Sequence, residues 1–290
     1  MASIVANSQE TRIQAENLRL AGGRRLKGIF AEGSANQPLV TVITAVYNGQ
    51  PYVAGCLESV LRQDYPNIEH IVLDGASNDG TVDVLREYDD RIALWRSEPD
   101  TGVYDAWNKA LAEARGEWIC FLGVDDEFLP GAIGAYMTLA AENPQAEYLC
   151  SRVNWVHSSG YQRIIGEPWS WRKFSKTTCV PHTGSMHRRS LLGRLGAFDT
   201  SYRLLADYEF LLRAGRQLNA AYMPVIAVMM RGGGISSTYG FKAFEEEARA
   251  QVETARRNKT LATIHMYVQK AKFSLRPMRF ALGRIIARVE

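Results

Sequence analysis

Between Leu39 and Glu127 the chain alternates two hydrophobic patterns. Leu39–Val46 (LVTVITAV), Ile68–Leu73 (IEHIVL), Ile92–Trp95 and Trp118–Leu122 (WICFL) are short, continuous apolar runs. Each is too short for an ordinary helix and rich in β-branched or aromatic residues, which predicts a strand buried on both faces. Between them, apolar residues recur every three or four positions. Val53, Leu57, Val60 and Leu61 mark one helix, Val82, Leu85 and Tyr88 a second, and Tyr104–Ala114 a third. Four such strands with helices between them predict an α/β fold with a mostly parallel, doubly wound sheet and right-handed crossovers. The second half is less regular. It predicts a helix around Leu139 that ends before Pro144, strands at Glu147–Val153 and Ala220–Met230, and a helix at Leu204–Ala214. Met1–Gln37 mixes small and polar residues with Arg24, Arg25 and Lys27, and reads as a loosely attached arm.

The polar residues at the strand ends carry the candidate chemistry. Asp74, Asp100 and the adjacent pair Asp125–Asp126 each follow a predicted strand. In an open α/β sheet, ligands bind at the carboxyl edge, where these acids converge. Two neighbouring carboxylates repel unless a cation or several donors sit between them. Their hard oxygens suit Mg²⁺ or Mn²⁺. The alternative is that one of the two caps the next helix, with Pro130 in its first turn. Trp155, Trp169 and Trp171 cluster in a loop-rich stretch, where they fill core or stack on a sugar. Arg231–Ser237 (RGGGISS) is either a lid over phosphates or a plain flexible loop.

Composition narrows the class. With 46% apolar and 22% charged residues the chain is an ordinary globular one, and a net charge of +3 does not point to nucleic acid. The charge is unevenly placed. Residues 261–290 hold six basic residues (Lys270, Lys272, Arg276, Arg279, Arg284, Arg288) against Glu290, so this tail carries +5 and the rest −2. Met278, Leu282, Ile285, Ile286 and Val289 share one face of a predicted tail helix flanked by arginines. That face either docks on the domain or lies in an anionic membrane surface, where each basic residue contributes about 1 kcal/mol. Cys56, Cys120, Cys150 and Cys179 are too widely spaced for zinc or a redox pair, and predict buried thiols in a reducing compartment. The first twenty residues lack a signal-peptide core and no run reaches transmembrane length, so the expected location is the cytosol, with the tail as the one candidate contact to the inner face of the plasma membrane.

Leu39–Asn48, Asp74–Thr81, Asp100–Lys109 and Gly123–Asp126, in this order and spacing, resemble the nucleotide-binding half of the family 2 glycosyltransferases. The resemblance spans roughly Pro38 to Ser237 and is nearest to bacterial enzymes of surface polysaccharides or glycolipids. It implies a GT-A domain over residues 38–240, with a nucleotide-sugar half (38–127) and an acceptor half (128–240), followed by a helical, basic extension over 241–290. It also implies inverting transfer of a sugar from a nucleotide-diphosphate donor to a glycan or lipid-linked acceptor, assisted by Mn²⁺ or Mg²⁺. Carried over by position, it places Ala45, Tyr47 and Asn48 around the donor's base and ribose. Asp74 falls at the acid that faces the nucleobase, although relatives often have two acids there and this chain has Asp74-Gly75. Asp100, Asn108 and Lys109 match positions along the donor sugar and diphosphate, Asp125 a ribose or sugar contact, and Asp126 the metal ligand. The segment Leu205–Arg213 resembles the one whose aspartate, here Asp207, is the catalytic base. Such a base is needed to take the acceptor's proton, and a helix start favours its ionised form. Glu209 is the nearest competitor. His182, in PHTGSMH, matches a histidine near the active site, and magnesium's preference for oxygen argues against its being a ligand.

Two other readings compete. A nucleotidyltransferase needs a glycine-rich loop after the first strand, where this chain has Tyr47–Pro51. A non-catalytic sugar-binding scaffold predicts damaged acids, yet Asp125, Asp126 and Asp207 are all present.

Overall fold

A computed structural model describes residues 20–232 and 240–275. The first nineteen residues of the expected arm, most of the glycine stretch and the predicted tail helix lie outside the described residues. After a two-residue strand β1 (Ala21–Gly22), the expected strand–helix units follow in order. They are β2 (Val40–Val46), α1 (Gln50–Leu61), β3 (Ile68–Asp74), α2 (Thr81–Glu87), β4 (Leu94–Ser97), α3 (Val103–Glu113) and β5 (Trp118–Phe121). The apolar runs are strands because both faces are covered. Ile43, Ile71 and Phe121 pack in one cluster with α3, and Val42, Cys120 and Leu122 in another on the opposite face. The third strand starts later than its apolar run. Ile92 is buried but turns, its N–H donating to the Tyr88 carbonyl at 3.1 Å, so burial without extension produced the strand-like signal.

The second half adds β6 (Glu127–Phe128), α4 (Ala132–Glu142), β7 (Tyr148–Val156), β8 (Gln162–Ile165), α5 (Trp171–Phe174), β9 (Met186–Arg188), α6 (Arg189–Leu195), α7 (Ala206–Ala214) and β10 (Ala220–Arg231). The hairpin of α8 (Phe241–Glu253) and α9 (Lys259–Ser274) closes the described chain. One sheet runs in the order β1-β4-β3-β2-β5-β9-β7-β10-β6, with β8 paired to β7. The four strands β4, β3, β2 and β5 are mutually parallel, as the sequence predicts. Beyond β5 the sheet is mixed, because β9 pairs antiparallel with both β5 and β7.

This order creates a switch point. From β2 the chain winds outward through β3 and β4, then returns to the other side of β2 as β5. Crossovers leave in opposite directions from the carboxyl ends of β2 and β5, and the crevice between them is where such sheets bind ligands. The register reinforces it: Val46 ends level with Asp74, whereas β5 stops at Phe121, opposite Ile43. Residues 122–126 therefore cross the top of the crevice.

The described part of the arm is anchored rather than loose. Ala21–Gly22 adds an antiparallel edge to β4. The Arg25 guanidinium forms an ion pair with the fully buried Glu69 and donates to the Glu113 carbonyl at 2.8 Å. Cys56, Cys120 and Cys150 are buried free thiols, and Cys179 is half-buried and also free. No described helix is long and apolar enough to cross a membrane.

Candidate active site

A cleft of about 2050 Å³ opens over the switch point and is lined from both halves of the chain. Its near wall is the end of β2, with half-buried Ala45, and the turn after it, with exposed Tyr47 and Asn48. Asn48 has φ 50°, a left-handed conformation that asparagine tolerates better than most residues. That conformation lets it grip the next loop: its N–H donates to Ser77 Oγ at 2.7 Å, and its Oδ1 accepts from the Asn78 N–H at 3.1 Å. Asp100 lines the same wall, its Oδ1 accepting from the Gly102 N–H at 2.8 Å. A Cβ on Gly75 would stand 2.7 Å from Asp100 Oδ2, so the residue after Asp74 has to be glycine for Asp100 to sit there.

The floor is the Asp125–Asp126 pair. Neither caps a helix, since α4 begins only at Ala132 with Gly131 before it. Asp126 is buried; its Oδ2 accepts from Thr183 Oγ1 at 2.7 Å and its Oδ1 from the Arg231 N–H at 3.0 Å. Burial, and then the charge of Asp125 beside it, pushes the Asp126 carboxyl up to about 7. Burial also raises Asp125. The pair folds over Gly123, where a Cβ would lie 2.8 Å from Asp126 Oδ2 and 3.1 Å from Asp125 Oδ1. Across the cleft, Asp207 occupies the first turn of α7. Burial pushes its carboxyl up to about 6, against hydrogen bonds from the α7 backbone and from the Tyr104 hydroxyl, which donates to Oδ1 at 3.0 Å. The helix dipole alone predicts a fully ionised acid; desolvation outweighs it.

A parallel switch-point cleft, an acid pair after β5 and a half-buried acid on α7 are what the resemblance implies. The model of "Glycosyl transferase family 2" matches residues 41–195, more than half of the chain. The chain belongs to the family 2 glycosyltransferases. An uncharacterized glycosyltransferase of Mycobacterium tuberculosis (strain H37Rv) is 37% identical over 188 residues, covering 61% of this chain and 69% of that protein. A PGL/p-HBAD biosynthesis glycosyltransferase of Mycobacterium bovis is 28% identical over 222 residues, covering 71% and 82%. Among solved structures, a mannosyltransferase from Pyrobaculum calidifontis, in complex with GDP-Man and Mn²⁺, superposes with a TM-score of 0.59 at 20% identity, covering 91% of this chain and 80% of that one. The fold is GT-A.

Within this family 2 glycosyltransferase, not every position matched by sequence reaches the cleft. Asp74 is buried under its own loop: Oδ2 accepts from the Ser77 N–H at 3.0 Å and from Ser97 Oγ at 2.5 Å, and Oδ1 from the Ser77 hydroxyl. Both oxygens shape the loop, and Asp74 is not among the residues lining the cleft. Asn108 is engaged by both backbone groups of Phe198, at 2.9 Å each. Lys109 binds the Pro99 carbonyl at 2.9 Å and Glu98 at 3.0 Å. Glu209 also lies outside the cleft lining, with its oxygens turned to Thr254 Oγ1 at 3.0 Å and Arg213 at 3.1 Å.

What α3 contributes instead is Tyr104 and Trp107. Trp107 stacks on His182 at 5.2 Å between centroids, and Phe121 does the same at 5.2 Å. Burial between these rings lowers His182 to about 3, so it is neutral at physiological pH. Its Nε2 is buried without a protein partner, at the edge of the cleft. Of the three clustered tryptophans, Trp169 and Trp171 pack against the core, whereas Trp155 lines the cleft. Tyr104, Trp107 and Thr183 left no signal in the sequence beyond aromatic spacing on one helix and a threonine after His182.

The acid pair fits a divalent cation. A buried and a half-buried carboxylate that repel each other gain by having positive charge between them. Among the described residues no third His, Cys, Asp or Glu joins them. Magnesium-type ions take one or two carboxylates and complete their shell with water and phosphate oxygens, whereas structural zinc needs four protein ligands.

Proposed function

We propose that this chain transfers a sugar, with inversion, from a nucleotide-diphosphate donor to a glycan or lipid-linked acceptor. The reading rests on one observation: the Asp125–Asp126 pair and the half-buried Asp207 come from distant parts of the chain and open on a single cleft at the switch point. In this reading Ala45, Tyr47, Asn48 and Asp100 line the nucleotide and sugar of the donor, and Asp125 contacts its ribose or sugar. Asp126, with Asp125 beside it, would hold Mn²⁺ or Mg²⁺. The bound ion would neutralise charge developing on the leaving group. Asp207 takes the acceptor hydroxyl's proton while that oxygen attacks the anomeric carbon and the bond to the diphosphate breaks. Its raised pKa suits this role, since a base titrating near the working pH accepts a proton readily. His182 offers a neutral imidazole nitrogen to the acceptor, and Trp155 a face for its ring. The mannosyltransferase complex with GDP-Man and Mn²⁺ and the glycosyltransferase of PGL/p-HBAD biosynthesis support the donor, metal and acceptor classes.

The test is a thermal-shift panel of nucleotide sugars with and without Mn²⁺. A donor at 100 times its Kd stabilises by about 2.7 kcal/mol. The gain should require the metal and vanish in Asp126→Ala, with the unliganded fold intact. Transfer undiminished in excess EDTA would overturn the metal assignment. Hydrolysis of the donor without acceptor separates an enzyme from a sugar-binding scaffold.

A further inference from the structure

Helix α9 is apolar on two sides. Its inner side packs on α8: Ala262 is buried, Phe273 meets Phe241 and Phe244 at 5.8 and 5.9 Å, and Lys270 pairs with Glu245 at 2.7 Å. Its outer side presents Leu261, Ile264, Tyr267 and Val268, with Leu275 just beyond its end, all between 45% and 62% exposed. Their spacings of three, four and seven residues align them in one stripe along the helix. Single exposed apolar residues are ordinary on a protein surface, but a continuous stripe marks a docking surface.

Charge and position identify what docks. Lys259, Lys270 and Lys272 are the only ionisable groups on α9 besides His265 and Tyr267, and none is acidic. In sequence the chain continues through Arg276, Arg279, Arg284 and Arg288, opposed by Glu290 alone. Lys270 is paired with Glu245, whereas Lys259 and Lys272 are exposed near the two ends of the helix. An apolar stripe with cations at its ends complements an anionic lipid surface, which offers both an acyl layer and negative headgroups. Tyr267, with an apolar body and a polar tip, suits the boundary between them. His265, next to Ile264, lines the cleft, so a surface bound at α9 lies beside the mouth of the active site.

We propose that α9 is an interfacial helix that seats Leu261, Ile264, Val268 and Leu275 in an anionic lipid layer and brings the cleft to a lipid-linked acceptor. This assigns to α9 the contact that the sequence pattern suggests for residues 278–289. Its acceptor clause rests on the glycosyl-transfer reading; the lipid contact does not.

The experiment uses the full chain and vesicles of phosphatidylcholine with and without phosphatidylglycerol. The wild type should sediment with the anionic vesicles at low salt and detach as salt rises. Leu261→Gln/Ile264→Gln/Val268→Gln keeps good helix formers. It should reduce partitioning by about tenfold or more, with thermal midpoint and donor hydrolysis unchanged. The proposal is overturned if the intact chain ignores phosphatidylglycerol or if the triple variant binds as well as wild type. A triple variant with a lowered midpoint, or with a dimer lost in light scattering, also overturns it, because the stripe is then covered by residues 276–290 or by a second copy. Donor hydrolysis with Mn²⁺ reports separately: its absence in the intact chain refutes the glycosyl-transfer reading and leaves the vesicle result standing.

Discussion

At Asp207 two local effects oppose each other, and their balance sets the chemistry. The start of α7 favours the carboxylate, burial disfavours it, and the carboxyl titrates near 6 because burial is larger. Transfer should therefore fall off below about pH 6, as the base becomes protonated. The Tyr104 hydroxyl stabilises the ionised form, so Tyr104→Phe should move that acid limb to higher pH, in a pH profile of kcat/KM. An unmoved limb would remove Asp207 from the base role. Asp207→Asn should lower transfer by about 10² to 10⁴ while sparing donor binding. It should also stabilise the fold. An acid whose folded pKa is raised loses stability as pH climbs from its unfolded value, about 4, through about 6, and stays penalised above. Asparagine escapes that penalty, so the variant should gain on the order of 1–3 kcal/mol at pH 8 and little at pH 4, by denaturant unfolding. The acids themselves were legible in the sequence, because strand ends and a helix start carry their own local patterns. Tyr104 was not: its role depends on a partner 103 residues away, which no local pattern encodes.

At the scale of elements, the parallel half was readable because four buried strands leave four continuous apolar runs. The arm was not readable as an element, since its basic patch reveals its function only against β3. Alternation along β3 sends Glu69 to a buried face, where it meets Arg25, accepts from Thr41 Oγ1 at 2.5 Å and from the Arg115 N–H at 2.6 Å. The arm thus ties β3, β2 and the end of α3 together. Arg25→Met leaves a buried carboxylate without its counter-charge and should cost about 3–5 kcal/mol in denaturant unfolding. Adding Glu69→Gln should recover part of that. If Arg25→Met alone is neutral, the arm is merely resting on the sheet. On α3 the matched positions Asn108 and Lys109 lie outside the cleft lining for a related reason. Asn108 and Lys109 lie at the matched spacing, but the Phe198 backbone and Glu98 claim them, and this follows from where the second half of the chain folds over the helix.

For the whole molecule, packing runs across the boundary between the expected nucleotide half and the expected acceptor half. β5, the last strand of the first half, pairs with β9, and β6 crosses to the far edge of the sheet beside β10. Trp118, Cys120 and Leu122 share one apolar cluster with Tyr136, Met186 and Val228 from the second half. Asp126 is held by Thr183 and the Arg231 backbone, so even the proposed metal site is completed across the divide. Residues 38–127 expressed alone would leave the β5 edge unpaired and this cluster open to water, an aggregation-prone arrangement. The fragment should fail to give a cooperative unfolding transition. The full chain should unfold with coincident transitions by far-UV circular dichroism and tryptophan fluorescence, and a nucleotide sugar with Mn²⁺ should raise both together. A folded, donor-binding fragment, or two transitions of which the donor moves only one, would show that the halves are independent and that the cleft assembles from finished parts.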